Sequence, residues 1–363
     1  MLSGIRILDL SRVLAGPLCT MILGDLGADV IKIERPGTGD STRGWGPPFD
    51  DRGESAYFLS INRNKASVAA DLSTSEGQRL VAGLMDEADV VVENFLPGAL
   101  ARCGLAPEVM CGRYPRLVWC TISGFGAEST RPGYDFVVQA EQGWMSITGE
   151  RDGSPMKAGV ALADVVTGKD AAIAVLAALV ARGRTGAGAH VRVSLAQSAA
   201  AALINAGQNV LVGGGDAGRW GNAHPNLVPY QLFAAADRDV VVAVGTDDQW
   251  AALVRVLGVP PLSEAAYATN AGRVAARGTI ILLVARAIRE RPAADWRTVL
   301  DAAGVPNGVV RTVREVLADP ATGASALTGI APSVPGRVRR PPPGLDEDGE
   351  GIRARGWGYF TRD

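Results

Sequence analysis

Residues 2–37, LSGIRILDLSRVLAGPLCTMILGDLGADVIKIERPG, decide the fold. The run 5–10 reads as a strand, 17–26 has helical spacing closed by Gly27, and 30–34 reads as a second strand. Strand, helix and strand at this spacing form a βαβ unit, which favours a parallel sheet with right-handed crossovers. The pattern recurs downstream. A helix at 74–86 leads to a strand at 89–93, helical stretches lead to a strand at 117–123, and a strand at 190–195 precedes an Ala-rich helix over 196–212. Residues 35–63 form a Gly- and Pro-rich loop too long for a plain connection, and so one expected to be functional.

After Gly213 the texture changes. Residues 213–230 read as a linker loop, and 231–235 and 239–244 as short strands. Helices follow at 246–257, 271–290 and 293–302, then 305–311 and a short helix after Thr312. The expected α/β organisation is a large domain beginning with 1–212, a linker over 213–230, a smaller α/β domain over 231–311 and a C-terminal segment over 312–363. From Ala331 onward Pro, Gly and both charge signs leave little periodicity, as in a tail draped over a surface or exchanged with a partner chain.

The 363 residues, 47% hydrophobic and 20% charged, suit a soluble globular chain with a large core. A net charge of -2 offers no basic excess for nucleic acid. Four cysteines without CxxC spacing and only two histidines, His190 and His224, argue against a zinc site. No apolar run reaches the ~20 residues of a membrane helix, and the start lacks a signal-peptide pattern. The expectation is a cytoplasmic enzyme with reduced thiols, no metal, and neither nucleic-acid nor membrane partners.

Asp164 stands out. A small apolar run at 160–163 delivers it to the start of a helix whose apolar face is Ile173, Val175, Leu176, Leu179 and Val180. It occupies the expected N-cap, where free amides and the helix dipole would keep it ionised. On spacing alone a plain cap is the commoner explanation for such an Asp.

Other features divide between chemistry and structure. Glu34 ends the second strand where a ribose-binding acid would sit, but Arg12–Pro17 has one glycine instead of the dinucleotide fingerprint, and the G-x-G-x-x-G at Gly213, Gly215 and Gly218 follows a helix. Arg12, Arg35, Arg63, Lys65 and Arg102 fall near strand ends, where they could grip a diphosphate and a further phosphate, or be scattered surface charges. Tyr134 could hydrogen-bond a carbonyl or pack a helix end, and His224 reads as a base or a turn residue. Ser194 and Ser198 lack a nucleophile elbow.

Taken in order, LDLSRVLAGP, VIKIERPGTGD, INRNKASVAADL, VENFLPGALARCGL, ISGFG, GYDFVVQAEQG, ALADVVTG and GNAHPNLVPYQLF resemble the family III CoA transferases, a group that also contains alpha-methylacyl-CoA racemases. The resemblance covers roughly residues 4 to 320. It implies a Rossmann-like large domain, a smaller α/β domain, a C-terminal segment returning to the large domain, and a homodimer of interlocked subunits. It makes Asp164 the nucleophile and places Tyr134 beside it, where racemases carry a histidine. It assigns coenzyme A to Arg12, Val13, Leu14, Ala15, Arg35, Ala70, Leu72, Ser73, Asn94, Phe95 and Arg102. Three motifs depart from the family pattern. Ser73 stands where a lysine is common, Pro342-Pro343-Gly344 lacks the usual acid-histidine pair, and Ala223-His224-Pro225-Asn226 replaces a glycine-rich lid.

The resemblance implies transfer of CoA from an acyl-CoA to a carboxylic acid through an Asp164 anhydride and an aspartyl-CoA thioester, without metal or redox cofactor. Oxyanion donors would come from the amides of 124–126 or the first helical turn. An acyl-CoA racemase, with tyrosine (ordinary pKa about 10) as an unready second base, and a non-catalytic CoA-binding protein are the alternatives.

Overall fold

The computed structural model describes residues 1–360. Six strands, β1 (Arg6–Asp9), β2 (Asp29–Glu34), β3 (Lys65–Ala69), β4 (Val90–Glu93), β5 (Val118–Ser123) and β6 (Ala189–Ser194), form one parallel sheet in the order β3-β2-β1-β4-β5-β6. They read as short continuous apolar runs because both faces of a parallel sheet are covered. Helices along the same stretch of chain are α1 (Ala15–Asp25), α2 (Ala56–Ile61), α3 (Ser75–Met85), α4 (Pro107–Arg113), α5 (Asp135–Glu141), α6 (Trp144–Ile147), α7 (Leu162–Thr185), α8 (Leu195–Ala201) and α9 (Ile204–Gly213).

Alternation along the strands splits the core in two. Ile7, Val30, Val92 and Cys120 face one way and pack with Cys19 and Leu23 of α1 and Val175 of α7. Leu8, Ile31, Val91 and Trp119 face the other, against Val81 and Leu84 of α3 and Met110 of α4. Strand order reverses between β1 and β4, so the loops leaving their carboxyl ends part and open a crevice, the usual ligand position in such sheets.

Several expected boundaries shift. The loop at 35–63 contains a 3-10 turn, Ser41–Gly44, and α2, capped by the Ser55 hydroxyl. The single helix expected over 196–212 is two, α8 and α9, broken where Ile204 takes φ 40°. The four cysteines are free thiols. Among the described residues no helix is long and apolar enough to cross a membrane.

The chain divides into two compact units, one of Met1–Met145, Lys157–Gly215 and 317–360, the other of Ser146–Met156 and Asp216–Val316. The second has an antiparallel sheet of β7 (Tyr230–Ala234), β8 (Asp239–Ala243) and β9 (Asn307–Val309). Joining it are α10 (Asp247–Leu257), α11 (Asn270–Ala275), α12 (Arg277–Ile288), α13 (Ala293–Ala302) and α14 (Val313–Leu317). The helix expected over 271–290 is interrupted at Ala276, between α11 and α12. Val240, Val242, Trp250, Leu253, Ile280 and Trp296 form the core of this unit.

Residues 361–363 of the expected C-terminal segment lie outside the described residues. The described part of the tail, residues 331–360, is better ordered than its composition suggests. It covers β3, the sheet's edge, where unpaired amides would otherwise invite strand addition. Asp348 Oδ2 accepts the Ser67 N–H at 2.8 Å and Asp346 Oδ1 accepts the Ala69 N–H at 2.8 Å. A last helix, α15 (Gly349–Arg355), leads to Trp357, whose indole N–H donates to the Leu84 carbonyl. Pro343, in the departing Pro-Pro-Gly motif, offers its carbonyl to Arg43 at 3.2 Å.

Candidate active site

The turn after β1 is clamped from β4. Asn94 Oδ1 accepts the Arg12 N–H at 2.9 Å while its amide group donates to the Arg12 carbonyl at 2.7 Å. The next residue, Val13, has φ 72°, rare for a β-branched side chain, and Asp40 Oδ1 accepts its N–H at 3.3 Å. Strain held in place by neighbours is characteristic of functional loops. Gly16 completes the turn, because a Cβ there would lie 2.3 Å from that of Ser11.

Helix α7 brings Asp164 to this loop. A Cβ on Gly168 would lie 2.7 Å from the Ala15 carbonyl oxygen, so only glycine allows α7 to lie this close to the start of α1. Asp164 sits one turn earlier on the same face. Beyond β5, Gly124 and Gly133 touch backbone to backbone, and a Cβ on Gly133 would come 2.2 Å from Gly124 Cα. That contact sets Tyr134 at the rim. Arg12, Val13, Leu14, Ala15, Asn94, Phe95, Gly124, Tyr134 and Asp164 line one cavity of about 270 Å³.

An adjoining cavity of about 460 Å³ shares Arg12, Ser41 and Phe95 with the first. Arg35, Thr38, Ala70, Leu72 and Ser73 complete much of its wall. The Arg12 guanidinium lies over the Phe95 ring, 5.0 Å from its centroid. Ser73 turns inward on its own loop, donating to Asp71 at 2.7 Å.

Asp164 is not the helix cap. Helix α7 begins at Leu162, and Asp164 is the third residue inside it. The cap acceptor comes from α5. Asp135 Oδ1 accepts the Ala163 N–H at 2.8 Å and the Asp164 N–H at 3.4 Å, while Gln139 donates to Asp135 Oδ2 at 2.7 Å. The amides expected to hold Asp164 ionised, and to serve as oxyanion donors, are thus occupied by another carboxylate. The Gly126 N–H is likewise taken, by the Ser123 hydroxyl at 3.2 Å.

With its side chain buried, residue exposure 8%, Asp164 has its pKa raised to about 7 by desolvation and then by the Asp135 charge. It is partly protonated at neutral pH, against the sequence expectation. Half-buried Tyr57, on α2, has its own pKa pushed to about 12 by burial and by the charges of Asp164, Asp135 and Asp40. Its hydroxyl therefore stays protonated at neutral pH and feels the charges of both carboxylates. Nothing in the spacing around Tyr57 singles it out.

Two of the expected phosphate-gripping cations are core residues. Lys65 donates to Asp9 at 2.9 Å, to the Pro17 carbonyl and to Asn62. Arg63 forks onto Asp25 at 2.9 and 2.7 Å and donates to the carbonyls of Thr328 and Ile330. Arg102 lies exposed on the 3-10 turn Ala101–Cys103 and lines neither cavity. Glu34, in the ribose-acid position, is forked by Arg43 at 2.8 and 2.7 Å. His224 belongs to the second unit, where its Nδ1 accepts the Asn226 N–H at 3.0 Å.

A parallel α/β sheet with a buried carboxylate and arginines lining cavities at its crevice offers space and charge suited to an anionic ligand. Residues 2–348 match the model of CoA-transferase family III. The chain is 42% identical over 322 residues to succinyl-CoA:glutarate CoA-transferase of Mus musculus, covering 88% of this chain and 74% of that one. It is 43% identical over 337 residues to succinate--glutarate CoA-transferase of Agrobacterium fabrum, covering 90% and 84%. A crystal structure of a CAIB/BAIF family protein from Brucella suis superposes with a TM-score of 0.86 at 41% identity, covering 97% of this chain and 98% of that one. The chain belongs to CoA-transferase family III, enzymes whose substrates are CoA thioesters.

Proposed function

We propose that this enzyme moves CoA between short dicarboxylic acids, with Asp164 as the covalent nucleophile. The observation that carries the reading is the position of Asp164, buried in a cavity with Tyr134, Arg12–Ala15 and Asn94–Phe95. The choice of dicarboxylates follows from relatives named for succinyl-CoA, glutarate and mesaconate. Arg12, Arg35, Ala70, Leu72, Ser73 and Phe95 hold the coenzyme in the adjoining cavity, and the strand order 3-2-1-4-5-6 supports calling the sheet Rossmann-like. Arg102, exposed and outside both cavities, has a minor part.

The ionised Asp164 attacks the thioester carbonyl carbon and the C–S bond breaks, leaving an aspartyl acyl anhydride and CoA thiolate. The thiolate attacks the Asp164 carbonyl, giving aspartyl-CoA thioester and the free donor acid. The acceptor carboxylate displaces the thiolate from Asp164 to form a second anhydride. The thiolate then attacks the acceptor's carbonyl, releasing new acyl-CoA and restoring the Asp164 carboxylate. No step consumes a proton, so neither Tyr134 nor Tyr57 has to act as a base. Tyr134 at the rim serves as a hydrogen-bond donor to carbonyl oxygen. Burial excludes water that would hydrolyse the anhydride.

The same reading includes a homodimer, interlocked as the family resemblance implies. It is supported by large apolar side chains left exposed on the first unit, among them Ile173 (64%) and Val180 (65%) on α7 and Leu211 (80%) and Val212 (79%) on α9. Light scattering on the purified chain tests it, and a monomer would count against it. For the chemistry, Asp164→Ala assayed with succinyl-CoA and glutarate is expected to lose exchange. Retained exchange would remove Asp164 from the mechanism.

A further inference from the structure

In the second unit, two guanidiniums share one indole. Arg151 Cζ lies 5.2 Å and Arg277 Cζ 4.9 Å from the centroid of the Trp220 ring. Both segments are pinned. Arg219 donates to the carbonyls of Glu150 at 3.2 Å and Gly153 at 2.7 Å, fixing the turn that carries Arg151. Arg277 donates to the carbonyls of His224 at 3.0 Å and Pro225 at 2.7 Å, fixing the loop after Trp220.

What the cluster lacks is a counter-charge. Among the described residues no carboxylate lies within 4 Å of either guanidinium, whereas buried Arg43, Arg63 and Arg273 each have one. The two acids flanking Arg151 in sequence, Glu150 and Asp152, form no ion pair with either guanidinium, and Glu150 has its carboxylate beside Gly221. Arg277 is half-buried and held below its ordinary pKa by desolvation and by the Arg151 charge, and the same guanidinium depresses His224 after burial does. Cations so arranged repel one another until an anion sits among them. Arg277 has part of its donor set committed to carbonyls. Apart from the Trp220 ring, the Arg151 fork has no hydrogen bond or ion pair among the described residues, which leaves its N–H groups for a bidentate contact.

We infer that Arg151, Arg277 and the Trp220 ring form a binding site for a small carboxylate, with the Arg151 fork as its principal contact. The choice of a dicarboxylate probe rests on the function proposed above; the site itself does not. Planar guanidinium matches the two oxygens of a carboxylate edge, and the indole beside it offers apolar contact to a short methylene chain.

The test is calorimetric titration of the full chain, without coenzyme, using glutarate and, in parallel, inorganic phosphate. The wild type is expected to bind glutarate with an affinity that falls as salt rises. Arg151→Gln should weaken binding about tenfold or more, and Arg151→Lys should recover only part, because the ammonium keeps the charge but not the fork. Arg151 is exposed, so these variants are expected to fold, which thermal melting checks. Unchanged glutarate binding in Arg151→Gln, no measurable glutarate binding by the wild type, or phosphate binding as tightly at the same residue would each overturn the inference. Asp164→Asn separates the two claims. If it still exchanges CoA, the proposed mechanism fails while Arg151-dependent glutarate binding stands or falls on its own titration.

Discussion

Two buried charge clusters in the first unit use burial to opposite ends. Beneath the sheet crevice, Asp9, Lys32, Lys65 and Asp40 pair opposite signs. Lys65 meets Asp9 at 2.9 Å and Lys32 meets Asp40 at 3.1 Å. Burial alone would push the Asp9 carboxyl up, but Lys65 and Lys32 carry it well below the carboxylate range, and the Ser11 and Thr20 hydroxyls donate to it. At the mouth of α7, Asp164 meets another acid, Asp135, and its pKa rises to about 7. Desolvation acts on both sites, and the sign of the neighbour decides the outcome. The first cluster is a fixed structural element; the second is poised to gain and lose charge near neutral pH.

That contrast is open to direct test. The largest effect is expected from Asp164→Asn, with CoA exchange falling by about 10³-fold or more, as for loss of a covalent nucleophile. The same variant should be more stable than wild type at pH 8. Folded Asp164 holds its proton to about pH 7 against an ordinary value of 3.8, so its stability contribution falls as pH rises between those values and stays low above. The gain, on the order of 1–3 kcal/mol in denaturant titrations at pH 8, should vanish near pH 4. In the paired cluster the sign reverses. Lys65→Met leaves Asp9 buried and under-compensated and should cost about 3–5 kcal/mol, read as a lowered midpoint at neutral pH.

Smaller effects sharpen the picture. Wild-type kcat/KM should rise with pH through about 7 as Asp164 ionises. Asp135→Asn keeps an oxygen for the Ala163 N–H but removes the like charge, so the rise should move to lower pH; an unmoved profile would mean that Asp135 does not tune Asp164. In the cavity proposed for the coenzyme, Arg35→Gln should raise the KM for acyl-CoA about tenfold, whereas Arg102→Gln should change it by less than about twofold.

The same contrast explains what the sequence made legible. Alternating strand and helix signals carried the parallel sheet, and LADVVTG marked Asp164, because both depend on neighbours close in the chain. The N-cap expectation failed because the acceptor for the first α7 amides is Asp135, 28 residues before Ala163. Arg63 and Lys65 looked like surface cations because their partners, Asp25 and Asp9, lie 38 and 56 residues away. Tyr57 stands in a segment with no periodicity to flag it. The tail seemed unpatterned because Asp346 and Asp348 answer amides of β3, more than 270 residues earlier, rather than each other.

The central claim is that the Asp164 carboxyl carbon becomes a thioester to coenzyme A during turnover. Rapid quenching of wild-type enzyme with succinyl-CoA, followed by peptide mass spectrometry, measures it directly. A CoA adduct is expected on the peptide bearing Asp164, sensitive to hydroxylamine and discharged by glutarate. An unmodified Asp164 in enzyme that is demonstrably exchanging CoA would contradict it.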